Sequence, residues 1–244
     1  MNLLIDIGNS RIKWGLEYPA GIVAGTAIDH HSDALQAQLL ACWQHIDAPA
    51  RAAIACVSAK TLLCQIKVVI TKLWPGIEIL TPHTQGHAYG VVNAYSQPET
   101  LGVDRWLALL AVRQNHRLPV CLVDCGTAMT IDLLNSRGRH LGGVIAPGLA
   151  LMRTALAEGT QDLTLSQKTG PPGLADNTAA AIHSGTVFAA TGLIEHILGG
   201  QDKATQLIMT GGDAALLNAQ LQNRAKIEPD LVLQGLALVL GGAE

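Results

Sequence analysis

Two carboxylates of this 244-residue chain stand in the same local setting. Asp6 opens Asp-Ile-Gly-Asn-Ser at 6–10 and Asp124 opens Asp-Cys-Gly-Thr-Ala at 124–128, so both have the form Asp-x-Gly-polar-small. A carboxylate at the end of a strand can bind a cation directly or through water. The glycine after it lets backbone N–H groups approach a phosphate with no Cβ in the way. Asn9, Ser10 and Thr127 add side-chain donors for phosphate oxygens, while Arg11 and Lys13 bring positive charge. Taken singly, each turn is ordinary hairpin chemistry. Two copies, both with hydroxyl residues, favour a phosphate-binding reading.

A third carboxylate opens a helix. Gly102-Val103-Asp104-Arg105 follows a long loop, and Asp104 falls in the first helical turn, where the helix dipole favours negative charge. A plain helix-start acid fits that position. So does a general base that takes a proton from a substrate hydroxyl during phosphoryl transfer. Arg105 can grip an anionic group with two hydrogen bonds, or pair with Asp104. Two glycine-rich turns join the set. Gly142 and Gly143 lie inside a strand that ends at Pro147-Gly148, and Thr210-Gly211-Gly212-Asp213 joins a strand to a helix. Glycines inside a strand mark close approach of a backbone or a ligand, and the second turn offers flat backbone for an adenine or ribose. Both also read as structural turns. The nine histidines show no metal spacing, and His30-His31 reads as incidental loop sequence. Absence of G-x-x-x-x-G-K-[ST], G-x-G-x-x-G and G-x-S-x-G argues against a P-loop, a dinucleotide fold and a hydrolase elbow.

The apolar pattern places the elements that must carry these residues. Residues 2–7 form a strand and 11–18 a second, in which Ile12, Trp14 and Leu16 alternate with Arg11, Lys13 and Gly15. Residues 21–28 allow a third strand. Ser32 is a candidate cap for a helix over 33–45, 52–57 reads as a buried strand, and Ser58 as the cap of a helix over 60–73 closed by Pro75-Gly76. Residues 81–100 read mostly as loop and 102–115 as helix. From Val120 the opening pattern returns, with strands at 120–124, 128–134 and 140–146. There follow a helix to about 158, a polar loop over 159–173, and a long helix from Asn177 or Thr178 to about 198. A strand at 207–209 and helices at 214–221 and 230–240 complete the chain. The two Asp-x-Gly turns lie 118 positions apart, close to half the chain, and each ends an apolar strand that leads into a hairpin. This predicts an α/β chain of two similar halves, 1–115 and 116–244, with a ligand in the cleft between them.

Composition removes other classes. With 49% hydrophobic and 14% charged residues, the chain is neither disordered nor a solvated coiled coil. A net charge of −3 without Lys/Arg blocks argues against a nucleic-acid surface. The five cysteines form no C-x-x-C and read as reduced small hydrophobes of an intracellular protein. The start lacks a signal-peptide pattern, and the most apolar late stretch, 231–240, is too short to span a bilayer.

As an ordered set, D-I-G-N-S at 6–10, G-V-D-R-W at 102–106, D-C-G-T-A at 124–128 with T-I-D at 130–132, G-G-V-I-A-P-G at 142–148, N-T at 177–178 and T-G-G-D at 210–213 resemble the type III pantothenate kinases. The resemblance implies the superfamily of acetate and sugar kinases, heat-shock chaperones and actin. Its members have two ribonuclease-H-like (actin-like ATPase) domains related by duplication, with an interdomain cleft. The implied reaction is ATP-dependent phosphorylation of the primary hydroxyl of pantothenate to 4′-phosphopantothenate, the first step of coenzyme A biosynthesis. The implied state is a cytoplasmic homodimer whose partner chain helps close the substrate pocket. Carried over by motif, Asp6, Ile7, Gly8, Asn9, Ser10, Arg11, Ile12 and Lys13 would hold the phosphates of ATP, with Asp6 also organising Mg²⁺, and Thr127 would contact a phosphate. Asp104 would be the proton acceptor, and Gly102, Val103, Asp104 and Arg105 would contact pantothenate together with Tyr95 and Thr178. Asp124 would bind a monovalent cation, K⁺ or NH₄⁺. Ser10 stands where threonine is also common, and its hydroxyl serves equally. Two other readings stay open on the residues: a different small-molecule kinase of the same superfamily, and a non-catalytic ATP-binding regulatory protein.

Overall fold

A computed structural model describes residues 1–32, 34–159 and 171–242. In chain order the first stretch runs β1 (Asn2–Ile7), β2 (Arg11–Tyr18), β3 (Gly21–Ala24), β4 (Ile28–Asp29), α1 (Leu35–Trp43), β5 (Arg51–Cys56), α2 (Lys60–Leu73), β6 (Glu78–Leu80), β7 (His87–Ala88), β8 (Val91–Val92) and α3 (Val103–Asn115). Next come β9 (Val120–Cys125), β10 (Ala128–Leu134), β11 (His140–Pro147), α4 (Leu149–Glu158), α5 (Thr178–Gly199), β12 (Gln206–Thr210), α6 (Ala214–Gln220), β13 (Lys226–Ile227) and α7 (Leu231–Gly241). Two compact units result, one of Met1–Asn115 with Asp230–Glu244, the other His116–Pro229.

The main sheet of the first unit has the order β3-β2-β1-β5-β6, with β4 also pairing with β2. Strand β1 is antiparallel to β2 and parallel to β5. Leu3, Leu4, Ile5 and Ile7 are all fully buried. A strand covered on both faces reads as a continuous apolar run, which is why no alternation marks β1 in the sequence. Leu3, Ile5 and Ile7 pack with Leu39 and Trp43 of α1 and Ile66 and Ile70 of α2. Side chains alternate along a strand, so Leu4 and Asp6 point to the opposite face, where Gly15, the cross-strand neighbour of Leu4, meets Leu233 of α7.

The second unit repeats this plan. Its sheet order is β11-β10-β9-β12-β13, again with the central strand antiparallel to the hairpin strand and parallel to the next. Cys121, Val123 and Cys125 pack with Leu149 of α4, Val187 and Ile194 of α5 and Leu217 of α6. Asp124 therefore falls on the other face, as Asp6 does in its own sheet. Across the β10–β11 hairpin the ring Nε2 of His140 lies 2.8 Å from Asp132 Oδ1, with both residues buried.

Several details differ from the sequence expectation. The third strand divides into β3 and β4, and the 81–100 loop contains a small β7–β8 hairpin turning at Tyr89 and Gly90, both at positive φ. Strands β6 and β13 appear where none is predicted. Ser58 does not cap α2, whose N-cap is Ala59 without a side-chain bond. Ser32 accepts the Ala34 N–H one turn ahead of α1, whose N-cap is Ala34. Asp33 and residues 160–170 of the expected polar loop lie outside the described residues. Asn177 does cap α5, its side chain accepting the Ala180 N–H at 3.0 Å. Among the described residues no helix is long and apolar enough to cross a membrane.

The last predicted helix packs in the first unit, not with the half that precedes it. Leu231, Val232, Leu233, Leu236 and Leu240 of α7 are buried, and Arg51 of β5 donates to the Leu240 carbonyl at 2.8 Å. Close packing on α3 depends on Gly235, because a Cβ there would run into the Leu107 carbonyl. Gly235→Ala gains up to about 1 kcal/mol of helix propensity, but backbone must move to admit the methyl. We expect net destabilisation of about 1–3 kcal/mol, read as a lower urea midpoint with unchanged m-value.

Candidate functional site

In the first unit the site begins where β1 ends. Asp6 is only 8% exposed and stands directly opposite Lys13 on β2. Opposed residues of an antiparallel pair project to one face, so ammonium and carboxylate share a side of the sheet. The Gly8 N–H donates to the Arg11 carbonyl at 3.0 Å, which closes the turn, and the Val57 N–H donates to the Ile7 carbonyl at 3.1 Å. Ile7 and Ile12 are wholly buried in the core. What those two residues can offer a ligand is backbone, whereas Asn9 and Arg11 are exposed and Ser10 and Lys13 half-buried. The Gly8 carbonyl lies 3.1 Å from the Nε2 of His30, a residue the sequence reading set aside.

Helix α3 delivers the second cluster. Trp106 N–H donates to the Gly102 carbonyl, so the helix starts at Gly102. Asp104 Oδ1 accepts the Arg105 N–H at 2.7 Å, which anchors the carboxylate at the helix start. A Cβ on Gly102 would sit 2.5 Å from that same Oδ1, so glycine is required for this carboxylate position. The buried Arg105 donates from Nη1 to the Tyr95 hydroxyl at 3.2 Å, with its guanidinium carbon 5.9 Å from the ring centre. Tyr95 is itself held through its N–H by Asn93 Oδ1 at 3.0 Å. The predicted substrate contacts Tyr95 and Arg105, ten positions apart in sequence, are thus brought together.

In the second unit Asp124 stands opposite Thr130 on β10 and Thr210 on β12. Asp213 N–H donates to the Cys125 carbonyl at 3.2 Å, so the Thr-Gly-Gly-Asp turn wraps the end of β9. Gly211 has φ +91°, and a Cβ there would lie 2.6 Å from Asp124 Oδ1. Thr127 is exposed, and its carbonyl accepts the Gly148 N–H at 2.9 Å. That bond ties the Pro-Gly turn to the Asp-Cys-Gly-Thr turn. Thr178 is exposed at the first position of α5.

Cys121 and Cys125 are buried packing residues, whereas Cys64 is exposed. All five cysteines are free. Burial pushes the Cys121 thiol up to about 12, with Asp132 adding to the effect. Cys125 is raised too, first by burial and then by Asp124 and Asp213. Both are uncharged thiols at neutral pH, not nucleophiles. A cluster the sequence did not reveal lies behind the glycine turn. Arg153 of α4 donates to Thr186 Oγ1 at 3.2 Å and to His183 Nδ1 at 3.1 Å. Burial and then Arg153 lower the pKa of His183. Burial raises that of Asp213, partly offset by Arg153. No sequence spacing links these residues except the three-residue step from His183 to Thr186 on α5.

Among the described residues, no group of three or more His, Cys, Asp or Glu is placed to hold a metal ion. A magnesium ion bound to nucleotide phosphates asks the protein for one or two carboxylates. Asp6 beside a glycine turn meets that requirement. Around Asp124 the neighbouring side-chain donors are threonine hydroxyls, all hard oxygens of the type an alkali cation takes.

The repeated sheet, with an aspartate at the end of each central strand, defines a member of the actin-like ATPase fold with two ribonuclease-H-like domains. A solved structure from Campylobacter jejuni, of a protein assigned to the Baf family of transcriptional activators, has a TM-score of 0.64 at 23% identity and covers 98% of both chains. The activator of the 2-hydroxyisocaproyl-CoA dehydratase from Clostridium difficile, solved with bound ADPNP, has a TM-score of 0.51 at 10% identity over 98% of this chain and 93% of that one. Both likenesses speak to fold alone. The family model for type III pantothenate kinase matches residues 2–199. A type III pantothenate kinase from Nitrosococcus oceani is 38% identical over 252 residues, covering 98% of this chain and 93% of its own. The chain belongs to the type III pantothenate kinase family.

Gly102→Ala tests the placement of Asp104. Its methyl would displace the carboxylate by a few tenths of an ångström or more, and misplacements of about 1 Å cost up to about 100-fold in rate. We expect kcat to fall about 10- to 100-fold while the melting temperature stays within a few degrees of wild type.

Proposed function

We propose that Asp104 is the proton acceptor, and Asp6 to Lys13 the phosphate-holding segment, of an ATP-dependent phosphorylation of the primary hydroxyl of pantothenate. As a family member the chain is a kinase that phosphorylates pantothenate in coenzyme A biosynthesis, using ATP with a divalent ion. One observation carries the assignment of roles. A single unit holds an anchored carboxylate at the start of α3, an arginine braced by a tyrosine hydroxyl, and a lysine in cross-strand register with an aspartate beside a glycine turn.

Each residue has a physical task. Arg105, braced by Tyr95, receives the pantothenate carboxylate, and Gly102 and Val103 line the approach. Asp104 takes the hydroxyl proton as that oxygen bonds to the transferred phosphorus and ADP leaves. Lys13 and the backbone of residues 8–12 hold phosphate oxygens, with the Ser10 hydroxyl as a further donor. Thr127 is a further phosphate contact. When bound, magnesium offsets phosphate charge, and Asp6 is the carboxylate that would meet it. Asp124, among Thr130 and Thr210, holds a monovalent cation. Thr178 contacts pantothenate.

We place the enzyme in the cytoplasm as a homodimer. In support, the second unit exposes Leu141, Ile145, Leu151, Leu156 and Phe188. These come from β11, α4 and α5.

Asp104→Asn keeps the shape and removes the base. We expect kcat to fall by about 10²- to 10⁴-fold with the KM for pantothenate nearly unchanged, in an assay of ATP-dependent pantothenate phosphorylation. Near wild-type turnover would remove Asp104 from this role. For the second unit, replacing K⁺ by Na⁺ should depress wild-type activity. Asp124→Asn should already be low in K⁺ and respond little to the exchange. An Asp124→Asn enzyme that still distinguishes the two ions would overturn the cation assignment.

A further inference from the structure

We propose that His30 is a positioning residue for ATP, acting through the Gly8 peptide. The proposal rests on the reading of residues 8–13 as the phosphate-holding segment and adds to it a residue outside that segment. His30 follows β4, the two-residue strand that pairs with β2 at Arg11↔Asp29 and Ile12↔Ile28. This pairing sets the histidine beside the turn it follows by 22 positions, and its Nε2 lies 3.1 Å from the Gly8 carbonyl oxygen. A carbonyl only accepts, so Nε2 carries the proton and donates. The neighbouring His31 limits the movement of the imidazole. The His31 N–H donates to Asp29 Oδ1 at 2.9 Å, fixing the chain just after it, and the His31 ring lies 4.4 Å from that of His30 at 42°.

The consequence follows from the planarity of the peptide bond. The Gly8 carbonyl and the Asn9 N–H belong to one rigid plane and point in opposite directions. With the carbonyl held by His30, the Asn9 N–H is turned away from the histidine. At residue 8 there is no Cβ to resist rotation of that plane, so glycine alone would let the donor swing. The Gly8 N–H is already committed to the Arg11 carbonyl at 3.0 Å, so the first half of the turn is fixed. His30 fixes the second half and keeps the Asn9 N–H aimed as a phosphate donor. It touches neither ATP nor the reacting atoms.

The test compares His30→Gln with His30→Met. The two side chains have matched length, and only glutamine retains an N–H for the Gly8 carbonyl. Steady-state constants for both substrates, the calorimetric Kd of a non-hydrolysable ATP analogue and melting temperatures are read for each, with Lys13→Ala as a control on the turn. For His30→Met we expect KM for ATP and the analogue Kd to rise roughly three- to tenfold, the range one neutral hydrogen bond contributes. KM for pantothenate should stay within about twofold, and His30→Gln should recover most of the loss. His30→Phe, which keeps a ring without the donor, should repeat the methionine result and serves if that variant does not fold. Unchanged ATP constants in His30→Met alongside a raised KM in Lys13→Ala would overturn the role of His30 and leave the phosphate segment standing. Equal losses in the glutamine and methionine variants, or a parallel rise in both KM values, would mark a bulk structural role and also overturn it. If Lys13→Ala and His30→Met both leave the ATP constants untouched, the phosphate segment itself is misassigned and the inference falls with it.

Discussion

Strand parity is the constraint on which the rest depends. In β1, Leu3, Ile5 and Ile7 must face the helix pair α1–α2 because their burial builds that core. A period of two then leaves Asp6 no choice but the opposite face. The same rule sends Cys121, Val123 and Cys125 into the second core and Asp124 out of it. A slip of one residue would bury a carboxylate in an aliphatic core, where an unpaired charge is far too costly to persist. The apolar residues therefore do more than stabilise the sheet; they determine where the charged ones stand. Asp6 is nearly buried, and Lys13 occupies the opposing position on the adjacent strand.

Close approach of backbone is the second organising theme. The two units use it differently. In the first, Gly102 leaves room for the Asp104 carboxylate, and Gly235 lets α7 lie against α3. In the second, Gly211 approaches Asp124, and Gly148 fits against the Gly126 carbonyl with no space for a side chain. The glycines thus serve as spacers that allow carboxylates and turns to share a small volume. Helix α3 joins both themes, since it carries Asp104 and Arg105 at its start and seats Leu107 against α7 further along.

Much of this was legible in the sequence because the strongest signals are local. The continuous apolar runs at β1, β5 and β9, the Asp-x-Gly turns that follow two of them, and the Asn177 cap are all encoded within a few residues. What escaped was set at longer range. Strands β4 and β13 are two residues long and exist only because a neighbouring strand supplies their hydrogen bonds. The β7–β8 hairpin turns through Tyr89 at positive φ, a residue that gives no turn signal of its own. Ser58 has the chemistry of a cap, yet the helix begins one residue later. His30 and Arg153 take their meaning from residues 22 and 30 or more positions away, a relation no single-sequence spacing can display. In the candidate site the residues proposed for acid–base and phosphate roles carry local motifs, while the groups that brace them do not.

Helix α7 has a consequence for how the molecule is made. The first unit is discontinuous, with the whole of His116–Pro229 inserted between two of its parts. During synthesis the inserted unit emerges before the last helix of the first, and its sheet is built from its own strands β9 to β13. The earlier unit must wait. Until residues 231–241 leave the ribosome, the Leu107 side of α3 lacks the cover of α7 and the helix bearing Asp104 lacks its seat. The usual order, in which the leading domain folds first, is thereby reversed. The unit that carries Asp6 and Asp104 thus stays unfinished until α7 has been added.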